Sequence, residues 1–484
     1  MLQNKVGEQR LFKLFGHFSL VYLVVASSLL AGSFEDFKST QNSAFEKYRD
    51  KNDIAFTHYL KDQWEEYTAK ESLHLYEKQK PKSITPTLEK PIKEVGPRVD
   101  IKLPKPQPKS LKTSPVENKK DIYLNYFGQR VGINLDTKIN DVRFYPQNQS
   151  AIANFFERMA SSDYEETLRD IKNICKSLEL NDWGTYKLVE QLSQKIYSYP
   201  DERKLYAWFI FNKLGYEVKI GLGNKHVVLM HYSKKVIYAT PSYSFGNKKF
   251  YVFHSYANAA HQRVYSYKQS YPDADKAMDL SLEKLPNFKK ELKSKTVSFK
   301  EFGKVYATSF SYDKNLIDFM ATYPQADYET YFNAPMSKET YEQIARSMKK
   351  YINNKHSSSA INFVLSFVQK AFKYERDQEQ FGKEKVMFAN ETLFYEKSDC
   401  EDRAILFAYL VKKLFGISAI GVKYKDHMAT ALYIPMKGDT VKANGRRFVI
   451  ADPTYVNANI GQSMPKYKSI LPQGFIYLKQ SSAL

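Results

Sequence analysis

One pattern occurs twice in this chain and limits its fold more than any other. An apolar helix closes on a glycine, and a histidine follows eleven residues later at the head of an apolar strand. In the second occurrence the run Ala404 to Val411 continues through Lys412, Lys413 and Leu414 to Gly416, and His427 opens the strand-like run Met428 to Ile434. In the first, Ala207 to Leu214 precedes Gly215, and His226 stands at the same spacing. A helix apolar on all sides must be buried, and a glycine just past its last turn supplies a left-handed C-cap. Flanking segments correspond as well: Lys195 to Tyr199 resembles Lys370 to Tyr374, and Val236 to Tyr243 echoes Val449 to Tyr455. The pattern predicts an α+β fold, helices packed on antiparallel sheets, present in two copies. A chain of 484 residues is long enough for two such domains plus extensions.

The second copy carries the chemistry. In Ser398-Asp399-Cys400-Glu401-Asp402-Arg403-Ala404, Ser398 with Glu401 fits a capping box. Cys400 then falls in the first helical turn, where unpaired N–H groups and the positive dipole end favour a thiolate. His427 heads one strand, and Asp452 closes another, Phe448 to Ala451. Turn-like Lys437-Gly438-Asp439 and Asn444-Gly445 between them predict antiparallel pairing, which sets His427 beside Asp452. An aspartate there fixes the imidazole tautomer and stabilises its cation. Any one of the three is more often structural. All three at element edges point to a nucleophile, a base and an orienting carboxylate. The first copy has Tyr199 at the place of Cys400, Thr240 at that of Asp452, and no counterpart to the segment Gln380 to Lys397. It is expected to be non-catalytic.

At Ser398 to Ala404, at His427 before its strand and at Asp452-Pro453-Thr454-Tyr455, the chain resembles the transglutaminase-like cysteine enzymes, especially secreted bacterial members. The resemblance covers the last third of the chain. It implies a papain-like core and acyl transfer through a thioester, ending in hydrolysis, deamidation or cross-linking of a protein or peptide substrate. Hydrolysis is favoured, because no calcium-binding loop or amine site is evident. The backbone N–H of Cys400 is the expected oxyanion donor, with Gln380 or Asn390 as side-chain candidates. The resemblance makes Asp402 and Arg403 an ion pair bracing the helix; Tyr455 would wall the cleft or simply pack. No cofactor is indicated, and no Cys/His cluster has metal-ligand spacing. Cys175 is read as a buried structural thiol. The rival from another class is a non-catalytic envelope-binding or scaffolding protein with a vestigial triad.

The remaining segments frame these domains. Residues 1–33 read as a signal peptide or uncleaved anchor, which implies export to a bacterial periplasm or cell surface. Residues 34–80 carry Phe34, Phe45, Phe56 and Tyr67 at a period of eleven, with Phe37, Tyr48 and Tyr59 three residues later. That spacing predicts one long helix whose stripe must self-associate, pack on the globular domains or dock on a partner, with self-association favoured. Prolines alternating with lysines make 81–120 an extended, solvated linker. The degenerate copy spans 121–265, a connecting segment 266–336 and the catalytic copy 337–484. A formal charge of +20 comes from lysines spread along the chain with no nucleic-acid motif. Nucleic acid is therefore not expected as a partner; anionic envelope polymers are.

Overall fold

The computed structural model describes residues 49–75, 84–103, 119–253 and 263–479. The segment 1–33, expected as a signal peptide or anchor, lies outside them, as do Phe34, Phe37, Phe45 and Tyr48. Among the described residues no helix is long and apolar enough to cross a membrane.

The chain is mixed α+β, built around two antiparallel sheets. In the second, the strands run Thr440–Ala443, Arg446–Ala451, Met428–Leu432, Ala419–Lys423 and Gly474–Tyr477 in spatial order. In the first the order is Ser242–Phe245, Lys248–Tyr251, His226–Tyr232, Val218–Gly223 and Arg263–Ser266, with Glu65–Thr68 added at the edge. Apart from that added strand the two orders match, and so do the registers. Val218 faces His231 as Ala419 faces Leu432, and Tyr251 faces His231 as Val449 faces Leu432. Ser242 faces Tyr251 as Thr440 faces Val449. The apolar helices Pro200–Lys213 and Cys400–Phe415 pack on the two central strands of their own sheets. Gly215 and Gly416, at φ 85° and 67°, end them in the left-handed conformation that glycine adopts most readily.

This topology corrects one sequence correspondence. The strand in the place of Arg446–Ala451 is Lys248–Tyr251, not Val236 to Ala239. By that register Thr240 does not stand at the position of Asp452.

The second sheet has two apolar faces. Met428, Leu432, Val449 and Ala451 join the main core with the helix Cys400–Phe415. Ile420, Val422, Ala429, Ala431, Phe448 and Ile450 face the other way, under Tyr424, Met464 and Tyr467. Between the sheets, the ten-residue strands Leu292–Glu301 and Lys304–Asp313 form a hairpin turning at Phe302 and Gly303.

Two predicted extensions are corrected. The helix expected over 34–80 stops at residue 60, and Tyr67 lies in the strand Glu65–Thr68. Its aromatic stripe packs on the first domain: Phe56 is buried against Phe156, Trp208, Tyr267 and Tyr271. Asp53 on the same helix pairs with buried Lys213 and accepts from Tyr271 Oη at 2.8 Å. Phe56 and Tyr59 thus find their aromatic partners within the chain.

The expected solvated linker is also bound, over residues 84–103. Thr87 donates to Val456 O (3.1 Å), Asn457 Nδ2 to Thr87 O (2.8 Å) and Asn459 Nδ2 to Lys90 O (2.9 Å). Further on, Val95 N donates to Ser358 Oγ (2.8 Å), Val99 N to Lys355 O (3.0 Å), and Glu89 meets Lys370 at 2.6 Å. Ile84 packs on the outer cluster of the second sheet, and Ile101 is 1% exposed. Proline keeps this strap extended, and the amides of Thr87, Val95, Val99 and Ile101 find partners on the second domain. Replacing Ile101 by alanine should therefore cost about 2–4 kcal/mol in urea unfolding, where a free linker would show no change.

Candidate functional site

The helix Cys400–Phe415 begins at Asp399, not at Ser398. Asp399 is the N-cap, and its N–H donates to Asp402 Oδ2 at 3.3 Å. Cys400 is the first helical residue, 8% exposed, and its thiol donates to Glu401 Oε2 at 3.2 Å. Ser398 instead receives Arg403 Nε at 3.1 Å.

Antiparallel pairing of Met428–Leu432 with Arg446–Ala451 brings His427 and Asp452 together. His427 Nε2 donates to Asp452 Oδ2 at 2.8 Å, and each residue is 2% exposed. The second carboxylate oxygen accepts from the amides of Thr454 (2.9 Å) and Tyr455 (3.3 Å). With Nε2 carrying the proton, Nδ1 is the basic nitrogen. Strand alternation turns His427 to the outer face, where its ring stacks on Tyr467 at 4.9 Å and lies parallel to Tyr424 at 6.4 Å. The structure thus joins His427 to Asp452 and sets Cys400 at the end of a helix packed on the strand that His427 leads into.

The other predicted residues have different employment. Asp402 and Arg403 are engaged separately: Asp402 also accepts from Met387 N (2.8 Å), while buried Arg403 donates to Gln369 O (3.2 Å) and Phe372 O (2.7 Å). Asn390 is buried with its amide spent on Ser337 N (3.0 Å) and Pro335 O (3.2 Å), so it braces the entry to the second domain. Gln380 sits in the short helix Asp377–Phe381 with its Oε1 buried and unpartnered. Tyr455 packs on the outer cluster beside Tyr424 and Tyr467. Cys175 is half-buried beside Thr185 Oγ1 at 3.4 Å, and both cysteines are free thiols.

Three features escaped sequence reasoning. Tyr374 pairs in parallel with Ser398, and burial followed by the nearby charges of Cys400, Asp399 and Glu401 pushes its phenol up. Gln369 Nε2 holds the carbonyls of Asp452, Tyr455 and Ala458. Around Cys400 lies a set of buried carboxylates. Ligand atoms of Asp377, Glu384 and Glu401, and of Asp377, Asp399 and Asp402, lie within 4.8 Å of one another in each group. Oxygen donors of that kind suit a hard cation rather than a soft one. Spacing conceals them, because 377–384 and 399–402 approach only in the fold.

Crowding makes these groups hold protons. Burial, then the neighbouring charges of Asp402 and Glu384, raises Asp377 to about 9; burial raises Asp402 to about 6. Asp399 and Glu401 are raised well above the carboxylate range by burial and by each other's or the thiol's charge. Each group binds its proton more tightly folded than unfolded. The stability these groups contribute is therefore fully present below pH 4 and is lost as pH rises, through about 6 for Asp402 and about 9 for Asp377. The slope is about 1.4 kcal/mol per pH unit for each proton retained. Asp377→Asn should flatten the decline between pH 6 and 9 in urea unfolding run at several pH values, and leave stability at pH 4 nearly unchanged.

No family model, curated protein or solved structure matches the chain.

Proposed function

We propose that the second domain is a transglutaminase-like cysteine enzyme of an exported protein, performing acyl transfer on peptide or isopeptide amides. The observation that carries this reading is the buried His427–Asp452 pair, 2.8 Å apart, heading the strand on which the Cys400 helix packs. A solitary buried histidine needs only a hydrogen-bond partner. Here the partner is a carboxylate fixed by two backbone amides, and the imidazole keeps Nδ1 for a proton. On this reading the Cys400 thiol, hydrogen-bonded to Glu401 here, must come within reach of His427 Nδ1 on the outer face of the sheet to give up its proton. The thiolate attacks the amide carbonyl, and the Cys400 N–H at the helix start donates to the oxyanion. His427 returns the proton to the leaving amine, and water then hydrolyses the thioester. Hydrolysis is favoured over transfer to a lysine amine. The matching order and register of the two sheets support descent of both domains from one duplicated unit with a papain-like core. In the first domain Tyr199 is exposed at the place of Cys400, and exposed His226 faces Asp201 at 3.0 Å. That supports a non-catalytic role for it, with anionic envelope polymers as the partners its basic chain would meet.

The closure of the site favours one rival: Cys400, His427 and Asp452 are all buried, as a scaffold with a vestigial triad would have them. Alkylation by iodoacetamide at pH 7, mapped by mass spectrometry, separates the two. An enzyme labels at Cys400 and loses at least tenfold in rate in His427→Ala, with a smaller loss in Asp452→Asn. A scaffold leaves Cys400 unlabelled in the folded wild type.

A further inference from the structure

We infer that Gln369 is a positioning residue that holds the His427–Asp452 pair in register with the nucleophile helix; this rests on reading Cys400 as the nucleophile. Gln369 is the next-to-last residue of the helix Ser357–Lys370 and is 2% exposed. Its side chain spans to the loop that follows Asp452, donating from Nε2 to the carbonyls of Asp452 (3.0 Å), Tyr455 (2.9 Å) and Ala458 (3.1 Å). Its own carbonyl accepts from Arg403 Nη1 at 3.2 Å, and Arg403 lies three residues after Cys400. The same guanidinium fixes Ser398 Oγ, two residues before the thiol, and Phe372 O. A continuous buried path therefore runs from both sides of Cys400, through Arg403 and Gln369, to the backbone of Asp452.

The amide orientation is not arbitrary. All three loop partners are carbonyls, which only accept, so Nε2 must face them. The consequence is a buried Oε1 with no partner. An orphaned acceptor is a cost that an apolar side chain would avoid, so what the position supplies is its two N–H donors, shared among the three carbonyls. Loop 453–459 forms no strand or helix of its own, and its carbonyls need donors from outside. Without them the main chain at Asp452 can rotate, taking its carboxylate off Nε2. The first domain offers a contrast. Gln194 stands at the same place before the paired segments Lys195 to Tyr199 and Lys370 to Tyr374, and there, beside a unit without the nucleophile, the side chain is exposed.

The test uses the full chain carrying Gln369→Met, which keeps the volume and removes the donors, and Gln369→Glu, which sets a carboxylate against three carbonyls. Cys400 alkylation is followed from pH 5 to 9.5. The wild type should label well below the ordinary thiol value of about 8.5. Gln369→Met should move the inflection toward that value and slow labelling at pH 6.5 at least tenfold, with the rate at pH 9.5 within twofold. Gln369→Glu should do at least as much. A lowered melting temperature with an unchanged pH profile would make Gln369 structural only and overturn the inference. If wild type and His427→Ala share one ordinary thiol profile, the nucleophile reading itself has failed. Positioning is then judged from the His427 ring by nitrogen–proton NMR. Loss of the Nε2–H signal of the Asp452 bond in Gln369→Met sustains it, and persistence of that signal overturns it.

Discussion

A helix that is apolar around its whole circumference cannot remain in water, and the second domain is arranged to enclose one. Ala404, Ile405, Leu406, Phe407, Ala408, Leu410 and Val411 are each at most 1% exposed. The sheet covers one side; the helices Ser357–Lys370 and Ala389–Phe394 cover others. Enclosure has a consequence at the N-terminal end. The first amides of the helix, which water would satisfy at a surface, must find partners inside the protein. Asp402 takes the N–H of the cap residue Asp399, and the positive end of the helix tolerates carboxylates there. The acidic surroundings of Cys400 thus begin as a solution to a capping problem.

The two domains solve the sheet identically and differ at that helix end. Pro200 starts the first helix and Tyr199 caps it with an exposed ring, so little there needs internal donors or acceptors. The second helix starts below the surface, beneath the segment 380–397 that the first domain lacks. The same register thus surrounds two different helix starts, one exposed and one enclosed.

The legible parts of this fold were those governed by local rules. The glycine C-caps, the strand headed by His427 and the pairing that brings it to Asp452 follow from backbone conformation and turn residues within some forty positions of sequence. Misreadings arose where distant partners decide. The eleven-residue stripe fits a continuous helix up to Tyr67, yet that residue's ring stacks on Phe245 at 4.1 Å from a strand. Val236 to Tyr243 resembles Val449 to Tyr455 in apolar pattern. The true counterpart, Lys248–Tyr251, follows a Gly-Asn turn as Arg446–Ala451 follows Asn-Gly. Prolines exclude helix from 84–103 but say nothing about docking, which depends on Ser358, Lys370 and Asn457 far along the chain. The same holds for Gln369, an ordinary helical glutamine until the fold surrounds it with carbonyls.

Buried carboxylates next to a thiol raise an electrostatic question that the fold itself answers in part. Ionised, Asp377, Asp399, Glu401 and Asp402 would repel one another and oppose a thiolate at Cys400. Their raised affinity for protons shows that the site resists that state. Once neutral, they leave the sulfur under the influence of the helix N-terminus and of Arg403, whose guanidinium is held by Ser398 and two carbonyls rather than by a carboxylate. A cation held by the same oxygens would have the same effect on the sulfur. Either way, on the proposed reading the charge state of the carboxylates would set the thiol's readiness, while His427 and Asp452 on their own strands would set where its proton goes. Separating those two controls onto a helix cap and a sheet leaves Gln369 and Arg403 as the groups that join them.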